Sequence, residues 1–331
     1  MSVWLPPGLF AYGSELAAAI DSRLGRTLVG DGEAWIDLPR RLGTADVPSA
    51  PVPWGNGALC VDLGPDDVET WERFAEVHRN ESDPDAVAVA AQEWRLPVTP
   101  YRRIPEESGR PVASAFGDEP TVTTSIDGAN VVDLTSMWAG PLCSELLGRA
   151  GAEIHKVTSA ARPDGLAGSS MYAELNAHKT VVDVDLRLAA DRRSFDQMLA
   201  LADLLVTSLS PRALANLDLL PSQLCARHPG LRTMAITAFE SSSVERGWIA
   251  YGTGVHAASG LGWLGDEPRA PAYSYPDPLA GLRAAAVALD QLTGTASQHQ
   301  GVSLAGAVAP LAARAACTVT VGARTDGNRY G

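Results

Sequence analysis
From Val131 to Lys156 the chain reads VVDLTSMWAGP, then LCSELLGRA, then GAEIHK. An apolar run ending at Leu134, a loop closed by Gly140 and Pro141, apolar residues at Leu142, Leu146 and Leu147, and a second apolar run at Ile154 predict strand, helix, strand. Two strands joined in this way lie parallel in one sheet, so the segment commits the chain to an α/β fold. The loop Met137 to Pro141 then falls at the carboxyl end of the first strand, where open parallel sheets place their ligands. Pro141 suits a first helical turn, having no N–H to leave unpaired.

The alternation continues downstream. Strands are predicted at 130–134, 153–157, 180–184, 204–206, 233–237 and 300–304, and helices at 141–150, 191–202, 211–216, 221–227, 254–262 and 279–293. Such alternation gives a parallel sheet with helices on both faces. No GxGxxG follows the first strand, so a dinucleotide site lacks its phosphate loop.

Upstream, Leu9, Phe10, Tyr12, Leu16, Ala19, Ile20 and Leu24 recur at helical spacing, with Ser14 as a candidate cap. A short strand at 58–63 precedes Pro65-Asp66-Asp67, a helix start, and Val68, Trp71, Phe74, Ala75 and His78 mark the expected buried face of that helix. A second helix at 84–94 leads into an extended segment at 96–100. Residues 106–127 are polar and rich in Gly, Pro, Ser and Thr, and read as a linker. The chain thus divides into a small α/β domain at 1–105, the linker, and a large domain at 128–331.

Residues 131–156 resemble the opening of the family III CoA-transferases, which include formyl-CoA transferase, carnitine CoA-transferase and α-methylacyl-CoA racemase. Further matches follow in the family's order: Asn176-Ala177-His178-Lys179, Val182 to Leu186, Ala202 to Val206, His228 to Leu231, Ala250-Tyr251, Ala258 to Leu261 and Asp277 to Leu282. The resemblance implies a Rossmann-like parallel sheet with helices on both faces plus a smaller α/β domain. The stretches GALCVDLGPDDVETWERFAEV and AVAVAAQEWRLPVTPYR resemble that smaller domain, here placed N-terminally, so the chain looks permuted.

The resemblance implies an enzyme that moves CoA between an acyl-CoA and a small carboxylic acid, with no permanently bound cofactor and CoA itself as substrate. Asp277 takes the place of the family's nucleophile. Read from the residues alone, Asp277 before Pro278 is equally a helix N-cap. Trp138 stands where formyl-CoA transferase has a carbonyl-polarising Gln, and its indole N–H donates but cannot accept. The racemase acid/base His maps to Tyr251, with His256 five residues on. Met137, Ala139, Lys156, Lys179, Val184, Ser208, Leu209 and Arg212 fall on CoA-binding positions, with Lys156, Lys179 and Arg212 expected near the phosphates. Ser208 and Leu209 replace an Asn and a Phe, and no Gly-Gly pair stands for the family's mobile loop. Two alternatives follow: a racemase, isomerase or lyase using Asp277 as base, and a degenerate subunit paired with an active paralogue. The family's interlocked dimers imply a homodimer.

A formal charge of −13 argues against nucleic acid or an anionic membrane as partner. Cys60, Cys143, Cys225 and Cys317 form no CxxC pair, so no metal site or disulfide framework is expected. With no signal segment and no long apolar run, the expected compartment is the cytoplasm.

Overall fold
The computed structural model describes residues 4–44, 50–104 and 125–326, with side chains as far as Ala316. The expected linker therefore lies, apart from 125–127, outside the described residues. The chain opens with α1 (Leu9–Leu24), α2 (Gly32–Ile36) and α3 (Leu38–Arg41). Next come β1 (Val52–Trp54), β2 (Gly57–Val61), α4 (Val68–His78), α5 (Pro84–Glu93) and β3 (Val98–Pro100). The large sheet begins with β4 (Asn130–Leu134), α6 (Ala139–Ala150), β5 (Glu153–Thr158), α7 (Ser170–Leu175), β6 (Thr180–Asp183), α8 (Ala189–Leu201) and β7 (Leu204–Thr207). It continues through α9 (Pro211–Asn216), α10 (Pro221–Arg227), β8 (Arg232–Thr237), α11 (Gly252–Ala258), α12 (Pro276–Leu292), β9 (His299–Ser303) and α13 (Leu304–Asp326).

The large sheet is parallel throughout, in the order β6-β5-β4-β7-β8-β9. Its first strand, β4, is central, with β5 on one side and β7 on the other, so the winding reverses between β4 and β7. In sheets of this kind such a reversal, at the carboxyl ends of the two strands, marks the crevice where ligands bind. Successive strand residues face opposite layers: Val131, Leu204 and Val206 join the main core with α6 and α12, while Val132 and Leu205 pack with Phe195, Leu199 and Leu224 of α8 and α10.

Two expectations need correction here. Ser14 lies inside α1, which is instead preceded by Gly8 in a left-handed conformation. The stripe Leu9, Tyr12, Leu16 and Ile20 of α1 enters the main core, and Arg23 forms a two-pronged ion pair with Asp290 of α12. Helices α1–α3 thus bury their apolar side chains with the large sheet's helices, not with β1–β3. In α4 only Phe74 is fully covered and Val68 is 45% exposed. Phe74 alone joins the small core formed by β2, β3 and α5, while Trp71 and His78 stack on it.

Short helices α2, α3 and α7 carry too few periods to register in the sequence pattern. Among the described residues no helix is long and apolar enough to cross a membrane.

Candidate active site
The crevice is braced by a buried charge cluster. Asp133, in mid-β4, is fully buried and receives Lys156 Nζ at 3.3 Å, Lys179 Nζ at 3.0 Å, Ser144 Oγ at 2.5 Å and Thr135 Oγ1 at 2.5 Å. Burial pushes its carboxyl upward, but the two ammonium groups and two hydroxyls outweigh burial and hold it well below the usual carboxylate range. Lys179 also donates to the Pro141 carbonyl at 2.8 Å and to Asn176 Oδ1 at 3.0 Å, and Lys156 to the Thr135 carbonyl at 2.6 Å. All three donors of Lys179 are thereby engaged, and Lys156 is itself fully buried. The expectation that these two lysines meet CoA phosphates is therefore corrected: they pin the loop after β4 to β5 and α6.

That loop is under tension. Met137 adopts φ 68°, a left-handed conformation that a side chain disfavours, and its N–H donates to the carboxylate of Asp164 at 3.1 Å and 3.2 Å. Ser136 N–H donates to Ser208 Oγ at 3.1 Å, tying the loop after β4 to the loop after β7 across the crevice. Trp138 is 5% exposed, and its indole N–H has no partner among the described residues.

Asp277 stands in the first turn of α12. The N-cap of that helix is Tyr275, so the reading of Asp277 as a cap is set aside. Ser274 Oγ donates to Asp277 Oδ2 at 2.5 Å, and the Gly252 backbone N–H also reaches the carboxylate. Burial pushes the Asp277 carboxyl up to about 6; these donors pull it down, and the nearby charge of Asp62 adds to the rise. One turn along α12, Gly281 lies against Ala139: a β-carbon there would come within 2.8 Å of the Ala139 carbonyl oxygen. Asp277, one turn before Gly281, therefore lies at the same end of the sheet as Ala139, where the loop after β4 enters α6.

The small sheet reaches this edge as well. Thr99 of β3 donates to the Gly254 carbonyl at 3.1 Å, and Thr253 Oγ1 donates to Asp62, the residue after β2. Burial raises the Asp62 carboxyl, against the pull of Thr253, Cys60 and the Gly254 N–H. Tyr251, 45% exposed, precedes Gly252 and lies within electrostatic reach of Asp62, Asp67 and Arg162.

His256 does not join this group. It is fully buried, one ring nitrogen meeting Tyr275 Oη at 2.8 Å and the other the Arg269 carbonyl at 2.8 Å. Burial drives its pKa down to about 4, so it is a neutral core imidazole with neither nitrogen available to a substrate. Val184 is buried in the second core layer, and Leu209 packs against that layer from the crevice edge. Arg212 is exposed on α9. Reading the sequence missed Asp62, Gly252, Ser274 and Asp164. The signals available were a serine three residues before Asp277, and, for the brace, a charged residue inside the apolar run of β4, which must be paired if buried.

A parallel six-stranded sheet flanked by helices, whose winding reverses between β4 and β7, defines a doubly wound α/β class. Within that class, residues 126–330 match the model of CoA-transferase family III, and the chain belongs to that family. A probable CoA-transferase of Mycobacterium tuberculosis is 30% identical over 184 residues, covering 50% of this chain and 23% of that protein. The succinyl-CoA–L-malate CoA-transferase beta subunit of Chloroflexus aurantiacus is 26% identical over 165 residues, covering 46% and 40%. The crystal structure of a CaiB/BaiF family protein from Brucella suis superposes with a TM-score of 0.52 at 22% identity, over 60% of this chain and 58% of that one, a likeness of fold. The chain spans less than half the length of these curated relatives.

Proposed function
We propose that the chain transfers CoA from an acyl-CoA thioester to a carboxylic acid, with Asp277 as nucleophile. The observation that carries this reading is the Asp277 carboxylate, held by Ser274 and Gly252 at the crevice edge beside the Met137–Ala139 loop. An Asp277 oxygen attacks the thioester carbon, the C–S bond breaks, and CoA leaves as thiolate, giving an aspartyl-acyl anhydride. The thiolate then attacks Asp277 Cγ and displaces the donor carboxylate, leaving an aspartyl-CoA thioester. The acceptor carboxylate repeats the two steps in reverse and regenerates Asp277. Every species that enters or leaves is an anion, so the cycle requires no net proton transfer. This accords with a site in which His256 is sequestered and the polar neighbours are donors such as Ser274 and Gly252. Ser208 and Arg212 flank the crevice at the β7 side, where the CoA moiety would lie.

The reading of Asp277 as an α-proton base is weakened by the loss of His256 and leaves only Tyr251 as a partner. Pairing with a second copy or a paralogous chain remains part of the proposal: relatives are named as alpha and beta subunits, and this chain matches less than half of each. We read the β1–β3 unit as the family's second domain in a permuted position, supported by its seat on α11 beside Asp277.

Isothermal calorimetry of CoA and acetyl-CoA against the full chain and Asp277→Ala tests the binding half. Micromolar affinity in both proteins is expected, because CoA binding does not need the nucleophile. No heat at millimolar CoA would overturn the reading for the isolated chain.

A further inference from the structure
The small sheet brings a second carboxylate to the nucleophile. Asp62 follows β2 and accepts from Thr253 Oγ1 and the Gly254 N–H; Asp277 accepts from Ser274 Oγ and the Gly252 N–H. Two acids from distant parts of the sequence are thus held on consecutive residues of one turn, 252 to 254. Among the described residues neither forms an ion pair. The backbone at Gly252 lies directly against Asp277, since a β-carbon there would overlap both Asp277 Oδ2 and Ser274 Oγ.

We propose that Asp62 is a positioning residue for the transfer reaction: delivered by the small sheet, it fixes the first turn of α11 through Thr253 and opposes the negative charge of Asp277. The proposal rests on the reading of Asp277 as the nucleophile for its role in catalysis, and the pairing rests on both carboxylates being hydrogen-bonded within one turn, 252 to 254. Like charges held on one turn in a partly buried setting oppose each other's ionisation. Docking of the small sheet is thereby coupled to the state of the nucleophile. A carboxylate kept close to its titration point attacks better and leaves an anhydride less readily than one locked in a salt bridge.

Other titratable groups surround this turn: the Tyr101 phenol, after β3, is pushed far up by burial, with Cys60 and Asp62 adding to the rise. Tyr251, the N-cap of α11, has its phenol raised by burial and by Asp67 and Asp62, with Arg162 acting oppositely. Cys60 on β2 donates to Asp62 at 3.5 Å and its thiol is pushed far up by burial. His256 is neutral and fully engaged. Ser274 supplies a hydroxyl but no charge. Among the described residues, Asp62 is the second carboxylate hydrogen-bonded to the turn that holds Asp277.

The test is a pH titration of the full chain by NMR with carboxyl-labelled aspartate, the two signals assigned by their loss in Asp277→Asn and Asp62→Asn. In Asp62→Asn the midpoint of Asp277 is expected to fall by about half a unit or more, and in the charge-retaining Asp62→Glu to stay within about 0.2 of wild type. By reciprocity, Asp277→Asn lowers the midpoint of Asp62 by a similar amount. An unmoved Asp277 midpoint in folded Asp62→Asn, or the same fall in Asp62→Glu, would overturn the proposal. Should Asp62→Asn not fold, the reciprocal measurement on Asp62 decides. Loss of the pairing is thus separable from failure of the functional reading: a chain that shows the shift but no transfer at any pH contradicts the transferase proposal alone.

Discussion

Gly252 lies so close to the Asp277 carboxylate that a β-carbon on it would overlap Oδ2. The backbone of one turn, together with the Ser274 hydroxyl, therefore cradles the proposed nucleophile. Substituting Gly252→Ala is expected to displace Asp277 and Ser274, cost about 1–3 kcal/mol of stability, and abolish transfer. Urea unfolding alongside a transfer assay checks both, and a fully active Gly252→Ala would contradict the close approach.

The raised Asp277 carboxyl makes a paired prediction for pH. Activity needs the ionised form and should rise with pH through about 6. Stability should move oppositely. The ordinary value is 3.8 and the folded value about 6, so between these the folded chain holds a proton that the unfolded chain has released. Stability therefore falls as pH rises across that window. Asp277→Asn should flatten this decline, which thermal unfolding at pH 4 to 7 measures.

The buried cluster at β4 has two cations and one anion. Asp133→Ala leaves Lys156 and Lys179 facing each other in the core and should cost about 3–5 kcal/mol. Lys179→Met leaves Asp133 still paired with Lys156, and should cost less. Because Asp133 is held below its ordinary range, its contribution is present above about pH 4 and is lost only as pH falls toward its depressed folded value. Denaturant unfolding of the two variants at pH 7 gives the ranking; equal losses would argue against the cluster as a brace.

Arg212 is the exposed member of the three basic residues expected near CoA phosphates. Arg212→Ala should weaken CoA about two- to fivefold, the size of a solvated charge interaction, and the difference should shrink in high salt. Calorimetry at two ionic strengths reads it out.

What the sequence made legible follows from local pattern. The alternation of apolar strands and helices after Val131 predicts all six strands of the large sheet, and the short matches around Asp277 single out the residue that the structure seats at the crevice edge. Burial partners were not legible. Lys156 and Lys179 look like surface charges until β4 places Asp133 between them. His256, on a helix bordering the site, has both nitrogens used by Tyr275 and Arg269, residues beyond its own helix that its spacing does not reveal. Asp62 ends a short strand like many acids that end strands, and only the packing of β2 and β3 on α11 brings it to Asp277. The helix α1 reads as amphipathic, but its spacing does not say which core its stripe joins.

The central claim is that the Asp277 carboxylate becomes covalently bonded to CoA during turnover. The direct measurement is mass spectrometry of the chain quenched with a panel of acyl-CoA donors and no acceptor, followed by proteolysis to locate the adduct. The account predicts a CoA thioester on the peptide containing Asp277, absent in Asp277→Ala and discharged when an acceptor carboxylate is added. Transfer that proceeds with no adduct on that peptide, or with an adduct on another residue, would contradict it.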